Sequence, residues 1–400
     1  MVPPICVVVP TYWTRAGGVA AAGDAVYDHP TSLDGDSTLP ALLDSLEQLD
    51  SASYYLLIIV AVTSAEVEAD AERRVREMLD AHPSIHCLLF GQRQFDTLCR
   101  QIRQSGLEDP ETFLALRDYP RIRNLQLVVP LAVGSDAIVA LDDDEVILDE
   151  NFLEKAVEPL GTLVDGRRVD GLSGHYLQPN GSIMLQVDPS KAGSANLFDR
   201  KAEIMNRATL ELEGEPGTLI YTPFCFGGNM EFSRDLASSV GFDPGISRGE
   251  DIDYLINARI EGRSFFLRKD LRILHCPPRG GSYRDVKSSK VEQDVLRFLY
   301  EQEKLKVSQT EQGMTAVRAE DLLPYPGEFL RGEIAHDAIQ ALRGAGYPGD
   351  AEEFVRRAQG GIGVKIEGYK DFRLRWPQLT DIVMRSQVIQ KSLEDQVVSG

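Results

Sequence analysis

Apolar and polar positions along the first 150 residues follow the pattern of buried strands that alternate with amphipathic helices. Four short apolar runs are typical of buried strands in a parallel sheet: residues 5–9, 54–62, 85–90 and 137–141. Helical spacing of apolar residues follows two of these strands, over residues 38–46 and 65–81, with Thr38 near the first N-cap and Pro40 in its first turn. Residues 121–133 lead through a helix or turn into the fourth strand. The pattern predicts βαβ units and an α/β fold with a mostly parallel sheet.

The pattern changes after residue 150. We expect a hairpin over residues 171–187 with Pro179-Asn180-Gly181 as its turn. Further elements are predicted in this order: a helix over 197–212, a strand over 218–224, a helix over 251–261 and one or two strands over 264–275. From about residue 291 the sequence becomes charged and helical, which predicts two regions, 1–290 and 291–400. Residues 14–37 are polar and rich in Gly and Asp, and a loop of that length is usually functional or mobile.

Composition narrows the class of protein. The apolar fraction of 43% and the charged fraction of 26% are ordinary for a globular chain of 400 residues. The net charge of −20 argues against nonspecific binding to nucleic acid or to an anionic membrane, since both are polyanions. No apolar run reaches the roughly 20 residues that a membrane span needs, and the N-terminus does not look like a signal peptide. Five scattered cysteines without Cys-x-x-Cys spacing favour reduced thiols and a cytoplasmic location.

Three consecutive carboxylates, Asp142-Asp143-Asp144, follow the strand at 137–141. Ligands bind at the carboxyl ends of strands in open α/β sheets. Adjacent carboxylates repel one another and raise one another's pKa unless a cation neutralises them. Hard oxygen ligands at such a place suit Mg²⁺ or Mn²⁺. The alternative is a solvated acidic turn before the helix that we expect near Asp149.

A second group of carboxylates follows the Gly/Pro-rich segment 241–249. Glu250 and Asp251 stand at the predicted N-terminus of a helix, where the helix dipole favours a charged carboxylate. A general base needs an ionised and positioned carboxylate of this kind. The alternative is that both residues only cap the helix.

A histidine and a basic run end the strand-rich region. His275 leaves an apolar strand just before Pro277-Pro278, and the segment 279–284 contains Arg279, two glycines and Arg284. A neutral imidazole can complete a carboxylate metal site, and backbone N–H groups and arginines can hold a diphosphate. The alternatives are a satisfied core histidine and a solvated loop.

Taken together and in order, these motifs resemble the nucleotide-sugar-dependent glycosyltransferases of family 2. The resemblance covers roughly residues 5–285 and rests on six short motifs: Val7-Val8-Val9-Pro10-Thr11-Tyr12, Arg123-Asn124, Leu141-Asp142-Asp143-Asp144, Phe226-Gly227-Gly228-Asn229, Gly249-Glu250-Asp251-Ile252-Asp253 and His275. It implies the GT-A fold, which is a Rossmann-like mixed sheet flanked by helices, here with a C-terminal helical extension.

The resemblance also implies roles for individual residues. Asp251 matches the base of inverting members, and Glu250 stands beside it. Asp142, Asp144 and His275 match ligands of a divalent cation, Mn²⁺ or Mg²⁺. The expected contacts to the donor come from Pro10, Thr11, Tyr12, Arg123, Asn124, Asp142, Asp143, Gly228, Asn229 and Arg279. The expected partners are a UDP- or GDP-sugar and a hydroxyl acceptor, either a glycan or a small molecule, with no nucleic acid and no membrane span.

Departures from the family pattern leave alternatives open. The segment between Tyr12 and Thr38 is longer than in common members, so Asp34 and Asp36 receive no role. A soluble enzyme with a helical tail is also similar to the retaining glucosyl- and mannosyl-phosphoglycerate synthases, which leaves stereochemistry open. Two other functions stay open for the chain, a nucleotidyltransferase and a non-enzymatic sugar-nucleotide-binding module. Three roles remain for the tail: homo-oligomerisation, acceptor binding, or packing on the main domain through Phe329, Leu330, Ile334, Ile339 and Leu342.

Overall fold

The computed structural model describes residues 4–277 and 287–398, apart from residues 19, 20, 22, 23, 26, 28, 50–53, 395 and 396. Its strands are β1 (Ile5–Thr14), β2 (Thr31–Ser32), β3 (Tyr54–Val62), β4 (Cys87–Phe90), β5 (Ala137–Leu141), β6 (Glu145–Ile147), β7 (Leu163–Val164), β8 (Arg167–Arg168), β9 (Gly171–Leu177), β10 (Leu219–Tyr221), β11 (Asn229–Ser233), β12 (Phe265–His275) and β13 (Val397–Val398). Its helices are α1 (Leu39–Leu46), α2 (Glu68–Asp80), α3 (Gln92–Gln104), α4 (Tyr119–Ala132), α5 (Phe152–Val157), α6 (Lys201–Gly214), α7 (Arg234–Ser239), α8 (Glu250–Ile260), α9 (Lys287–Ser308), α10 (Gly327–Leu330), α11 (Ala335–Gly344), α12 (Ala351–Arg385) and α13 (Gln387–Glu394).

One mixed sheet organises the molecule. Its strand order is β10-β12-β9-β11-β5-β1-β3-β4-β13, while β2 pairs with β1 and β6 pairs with β12. The four strands β5, β1, β3 and β4 run parallel, and β11 lies antiparallel between β5 and β9. The predicted α/β class is confirmed, as a mixed sheet flanked by helices with a helical C-terminal region.

The core lies on both faces of the sheet because successive strand residues point to opposite sides. In β1, Cys6 and Val8 join one buried apolar cluster, and Val7 and Val9 join the other. The first cluster also contains the buried C-terminal residues Phe329, Leu330, Ile334 and Leu342, with Ile339 packed against it. The predicted packing of the tail on the main domain is therefore confirmed. Among the described residues, no helix is both long and apolar enough to cross a membrane.

Most predicted elements are present with shifted ends. The strand over 54–62 and the helix over 38–46 are found as β3 and α1. The first strand is longer than predicted, since β1 continues through Pro10-Thr11-Tyr12 to Thr14 while paired with β3. The region 264–275 is one strand, β12. Among the described residues, the helices α3 and α7, the strand β11 and the short strands β2, β6, β7, β8 and β13 were not predicted.

The predicted hairpin over residues 171–187 is wrong. Gly181 does form the turn, donating its backbone N–H to the carbonyl of Gln178 at 2.7 Å. The chain after the turn does not pair with β9. β12 pairs with both halves of β9, whereas β11 pairs only with Gly171–Ser173. At Gly171–Ser173, where both edges are paired, no N–H and C=O groups are free for a hairpin partner.

Candidate active site

The candidate site begins where two parallel strands separate. Pairing between β1 and β5 ends at Val8 and Ala140, whereas β1 stays paired with β3 as far as Trp13. The chain also switches sides here, because β3 and β4 lie on one side of β1 and β5 lies on the other. Such a switch point opens a crevice at the carboxyl ends of the strands. Asp142, Asp143 and Asp144 follow β5 directly into this crevice.

A buried arginine of α4 connects two of the predicted acidic groups. The Arg123 guanidinium donates to both carboxylate oxygens of Asp142, at 2.9 and 3.4 Å, and to Glu250 Oε1 at 3.3 Å. Burial opposes the charged form, but Asp142, Tyr12 and Glu250 outweigh it and raise the pKa of Arg123 well above its usual range. Arg123 therefore stays charged and holds the end of β5 next to the start of α8.

The middle aspartate points toward β1. Asp143 is buried and its Oδ2 accepts a hydrogen bond from the Thr11 hydroxyl at 2.6 Å. Burial raises the pKa of Asp143 to about 8, and the charge of Asp144 adds to that shift. Pro10 and Tyr12 flank Thr11 in β1, just beyond the last pair with β5. The Tyr12 hydroxyl is buried and has no hydrogen-bond partner among the described residues, and burial raises the pKa of Tyr12 well above its usual range.

The third aspartate contacts the predicted histidine ligand. His275 Nε2 lies 3.2 Å from Asp144 Oδ2, and β6 pairs with the end of β12 so that Glu145 faces His275 across the two strands. Burial lowers the pKa of His275, but the hydrogen bond and charge of Asp144 outweigh it and the net shift is upward. The Tyr176 ring stacks on the imidazole at 5.4 Å with an interplanar angle of 17°. Strand pairing and stacking together fix the orientation of His275.

Gly228 closes this side of the crevice. Its backbone N–H donates to the Tyr176 hydroxyl. A Cβ placed on Gly228 would overlap Glu145 Oε1 and the Tyr176 hydroxyl, and would lie 2.8 Å from Asp142 Oδ2. The position therefore accepts only glycine without moving the carboxylates.

The candidate base lies across the Gly-Gly segment from the aspartates. A Cβ on Gly227 would be 3.1 Å from Asp251 Cβ and 3.2 Å from Arg123 Nη2, so this glycine separates the two side chains. Asp251 is partly exposed, whereas Glu250 is only 8% exposed. Burial raises the pKa of Glu250 to about 7, the Arg123 charge opposes that shift and the Asp251 charge adds to it. The two adjacent carboxyl groups thus have different environments.

Two predicted donor-contact residues make internal contacts. The Asn124 amide donates to the carbonyls of Phe113 and Phe242, at 3.0 and 2.8 Å, and accepts from the N–H of Phe242 at 2.7 Å. Asn124 thereby anchors the loop that leads to α8. The Asn229 amide lies buried inside the sheet, 3.4 Å from the Leu271 carbonyl. Arg279 lies outside the described residues.

Two further residues at the site carried no sequence signal that we used. Glu145 is buried and accepts a hydrogen bond from the backbone N–H of Asp142 at 3.0 Å, while its Oε1 has no hydrogen-bond partner in the part of the chain that the structure describes. Burial raises the pKa of Glu145 well above its usual range, and the charges of Asp142 and Asp144 add to the shift. Its position as the fourth acidic residue after β5 could have identified it. Tyr176 is an ordinary strand aromatic in the sequence and could not have been found.

The donor set fits a divalent cation in its chemistry. Asp142 and Asp144 offer oxygens and His275 offers a nitrogen, and the buried, unpartnered Glu145 Oε1 lies beside them. Carboxylate and imidazole ligands are those that Mn²⁺ accepts. In this structure Asp142 is paired with Arg123 and Asp144 with His275. Within the described part of the chain, the one set of three ligand atoms that all lie within 4.8 Å of one another belongs to the exposed Asp44 and Glu47 and the buried His82, so Asp142, Asp144 and His275 do not form such a set here.

Comparisons with known proteins give matches in structure alone. No protein-family model matches the sequence, and no curated protein matches it either. A mannosyltransferase from Pyrobaculum calidifontis, in complex with GDP-Man and Mn²⁺, aligns over 98% of this chain and 88% of its own, with 14% identity and a TM-score of 0.44. Glucosyl-3-phosphoglycerate synthase from Mycobacterium tuberculosis, in complex with Mn²⁺ and UDP-glucose, aligns over 75% of this chain and 79% of its own, with 15% identity and a TM-score of 0.38.

A second structure of that synthase, with Mn²⁺, UDP and phosphoglyceric acid, aligns over 68% of this chain and 70% of its own, with 17% identity and a TM-score of 0.33. These matches are nucleotide-sugar glycosyltransferases, the class that the motifs predicted. Because these TM-scores are below 0.5, the function of this chain has to be argued from its own residues.

Proposed function

We propose that this chain is a metal-dependent glycosyltransferase that moves a sugar from a UDP- or GDP-sugar to a hydroxyl acceptor. The observation that carries the proposal is the arrangement around Arg123, which joins Asp142 at the strand end to Glu250 at the start of α8. Carboxylates suited to a cation stand on one side of Gly227 and Gly228, and a partly exposed carboxylate, Asp251, stands on the other. Group transfer between two substrates needs both sides within one crevice.

The donor side is assigned to the end of β5. Asp142, Asp144 and His275 would hold the cation, and a bound divalent cation supplies charge stabilisation for the departing nucleoside diphosphate. Thr11 fixes Asp143 through its hydroxyl, so the acidic segment keeps one shape. The Tyr12 ring packs against Tyr27 and Tyr119 with centroids 4.6 and 5.3 Å apart, which fixes the end of β1 where the nucleoside is proposed to bind.

The acceptor side is assigned to Asp251. Its carboxylate would accept the proton of the acceptor hydroxyl as that oxygen attacks the anomeric carbon from the face opposite the diphosphate. Such displacement inverts the anomeric configuration. Glu250 does not compete for this role, because it contacts Arg123 and is almost fully buried. Its part is to hold Arg123 in place between the two sides.

A donor screen tests the proposal. UDP- and GDP-sugars are incubated with Mn²⁺ or Mg²⁺ and candidate acceptors, while nucleoside diphosphate release and the anomeric NMR signal of the product are followed. We expect release from one donor and an inverted product. A retained configuration would favour the phosphoglycerate-synthase-type alternative. Pyrophosphate release from a sugar phosphate and a nucleoside triphosphate would support a nucleotidyltransferase, and binding without turnover would support a binding module.

Two variants and one chelation experiment test the donor side and the acceptor side of the site separately. Asp144→Ala and treatment with EDTA should each abolish turnover of the donor, and full activity in EDTA would remove the metal from the proposal. Asp251→Asn should keep donor binding but slow transfer by about 100-fold or more, the range lost with a general base. Unchanged transfer would exclude Asp251 as the base. Asp371→Asn, at an exposed aspartate of α12, is the matched control.

Three further features remain predictions: the division into two regions near residue 290, the cytoplasmic location and assembly through the C-terminal helices. Urea unfolding tests the division, because it shows whether the two regions unfold together.

A further inference from the structure

One side chain of the C-terminal extension contacts both the loop before the candidate base and the helix that carries the base. The loop spans residues 241–249 and leads into α8, with Asp243 near its start and Asp253 in the first turn of the helix. Lys304 of α9 reaches both of these carboxylates: its Nζ lies 2.5 Å from Asp243 Oδ2 and 2.8 and 2.9 Å from the two oxygens of Asp253. Glu250 and Asp251 lie between the two contacts.

The environment of Lys304 is complete and closed to solvent. Its side chain has no exposed surface, and the ammonium also lies 3.2 Å from Asn257 Oδ1. The carboxylates of Asp243 and Asp253 and the amide oxygen of Asn257 therefore accept the hydrogen bonds that the ammonium group of Lys304 can donate. The Tyr369 ring covers the charge at 4.3 Å.

Burial of an ion cluster is a poor way to gain stability alone, because desolvation can exceed the attraction between the charges. Well-packed apolar residues would fill the same space at lower cost. A buried cluster with directed hydrogen bonds does, however, fix one conformation of the chain around it. In this protein the cluster fixes the conformation of residues 243–253.

Other residues of the extension contact the same loop. The Tyr300 hydroxyl donates to Asp243 Oδ2 at 2.8 Å, and Lys365 Nζ donates to the Gly245 carbonyl at 3.2 Å. The Arg297 guanidinium lies beside Gly249, which has φ +72° and no room for a Cβ because of that contact. On the opposite side Asn124 holds Phe242. The loop is thus fixed between α4 and the extension.

We propose that Lys304 is a positioning residue for transfer, and that the C-terminal extension serves the active site by holding the Glu250-Asp251 turn in register with the strand-end carboxylates. This inference rests on the proposed function, since it assumes that Asp251 acts on an acceptor. A displacement of about 1 Å in a reacting group can slow a reaction by about 100-fold. Misplaced Asp251 should therefore lower kcat, while the donor contacts on β1, α4 and β5 remain.

The test uses four variants of the full chain. Lys304→Met removes the charge, Lys304→Arg restores a cation, and Tyr300→Phe removes only one hydroxyl donor to Asp243. Lys370→Met is the matched control, because Lys370 lies on the extension in an ion pair with Glu311 and does not contact the loop. Each variant is measured for kcat, for donor KM, and for backbone hydrogen exchange of residues 241–260.

We expect Lys304→Met to lower kcat by about 10-fold or more with donor KM little changed, and to speed exchange in residues 241–260. Lys304→Arg should recover part of the rate. Tyr300→Phe should lower kcat by about 2- to 10-fold, which corresponds to the loss of one hydrogen bond. If Lys304→Met does not fold, Tyr300→Phe alone tests the proposal. Lys370→Met should match the wild-type protein in all three measurements.

Two outcomes would overturn the inference. One is wild-type kcat in folded Lys304→Met or Tyr300→Phe. The other is unchanged exchange in residues 241–260, and this measurement needs no substrate. Failure of the proposed function would give a different result, because the wild-type protein itself would then turn over no sugar nucleotide. Hydrogen exchange of residues 241–260 would still show whether Lys304 holds the loop.

Discussion

Gly228 shows how tightly single residues are fitted at this site. A side chain there would overlap Glu145 and Tyr176 and press on Asp142. We predict that Gly228→Ala weakens Mn²⁺ binding by about 10-fold or more and lowers stability by about 1–3 kcal/mol, as overpacking does. Titration of Mn²⁺ and urea unfolding measure the two effects. The control is Gly214→Ala at the end of α6, where a Cβ meets no atom within 4 Å; equal effects of the two substitutions would contradict the prediction.

Glu250 should make stability depend on pH. Burial raises its pKa to about 7 in the folded protein, whereas an unfolded glutamate ionises near pH 4.3. The folded state therefore binds a proton more tightly, so the stabilisation is fully present below about pH 4 and is lost as pH rises through 7.

Glu250→Gln removes this titration while keeping an oxygen for Arg123. We predict that the stability of the variant relative to the wild-type protein rises between pH 5 and pH 8, by up to about 3 kcal/mol. Urea unfolding of both proteins at the two pH values measures this difference. A difference that stays constant with pH would contradict the assigned pKa.

At the residue scale, the sequence selects candidate site residues but not their contacts. Acidic residues at strand and helix ends are common, so Asp142, Asp144, Glu250 and His275 could be selected only because their motifs stand in the order of one known family. Lys304 could not be selected, because a lysine in a charged helix is usually exposed. Its contacts with Asp243 and Asp253 depend on how α9 packs on α8, and no local pattern encodes that.

At the scale of elements, α12 contains a group of three glycines whose small size no described neighbour requires. Gly360, Gly361 and Gly363 lie inside this 35-residue helix, and a Cβ on any of them would meet no atom within 4 Å. Glycine in a helix interior costs roughly 0.5–1 kcal/mol relative to alanine. We predict that Gly361→Ala stabilises the protein by about that amount, measured as a higher urea midpoint.

Gly327→Ala provides the contrast within the same extension. A Cβ there would overlap the Ala319 carbonyl and lie 2.7 Å from the Leu322 carbonyl carbon. This substitution should lower the urea midpoint. If both substitutions shift the midpoint in the same direction, the local space around each glycine does not determine its effect.

The elements that were predicted correctly have a clear period and clear ends. The nine buried residues of β3 and the Thr38-Leu39-Pro40 start of α1 are examples. β11 was missed because Gly227-Gly228-Asn229 is typical of a turn, yet Asn229 already pairs with Leu141. The false hairpin had the opposite cause: its turn exists, but β9 takes its partners from distant segments, β12 along both of its halves and β11 at Gly171–Ser173.

At the scale of the whole molecule, the sheet and the extension share one apolar core. Trp376 of α12 is fully buried, donates its indole N–H to the Ala237 carbonyl at 3.0 Å, and packs against Gly241 at the start of the loop 241–249. We predict that Trp376→Ala costs about 3–5 kcal/mol, as for other buried aromatic residues. The neighbouring exposed Leu374 is the control, and Leu374→Ala should change stability by less than about 0.5 kcal/mol.

The same variant tests whether residues 1–290 and 291–400 unfold together. The chain has two tryptophans, so in Trp376→Ala the fluorescence reports only Trp13, which is buried in the sheet. Far-UV circular dichroism reports the helices, many of which belong to the extension. Because the core is shared, we expect both signals to change at the same urea concentration, as in a two-state transition. Loss of helical signal while Trp13 stays buried would instead show that the extension unfolds as a separate unit, with its boundary near residue 290.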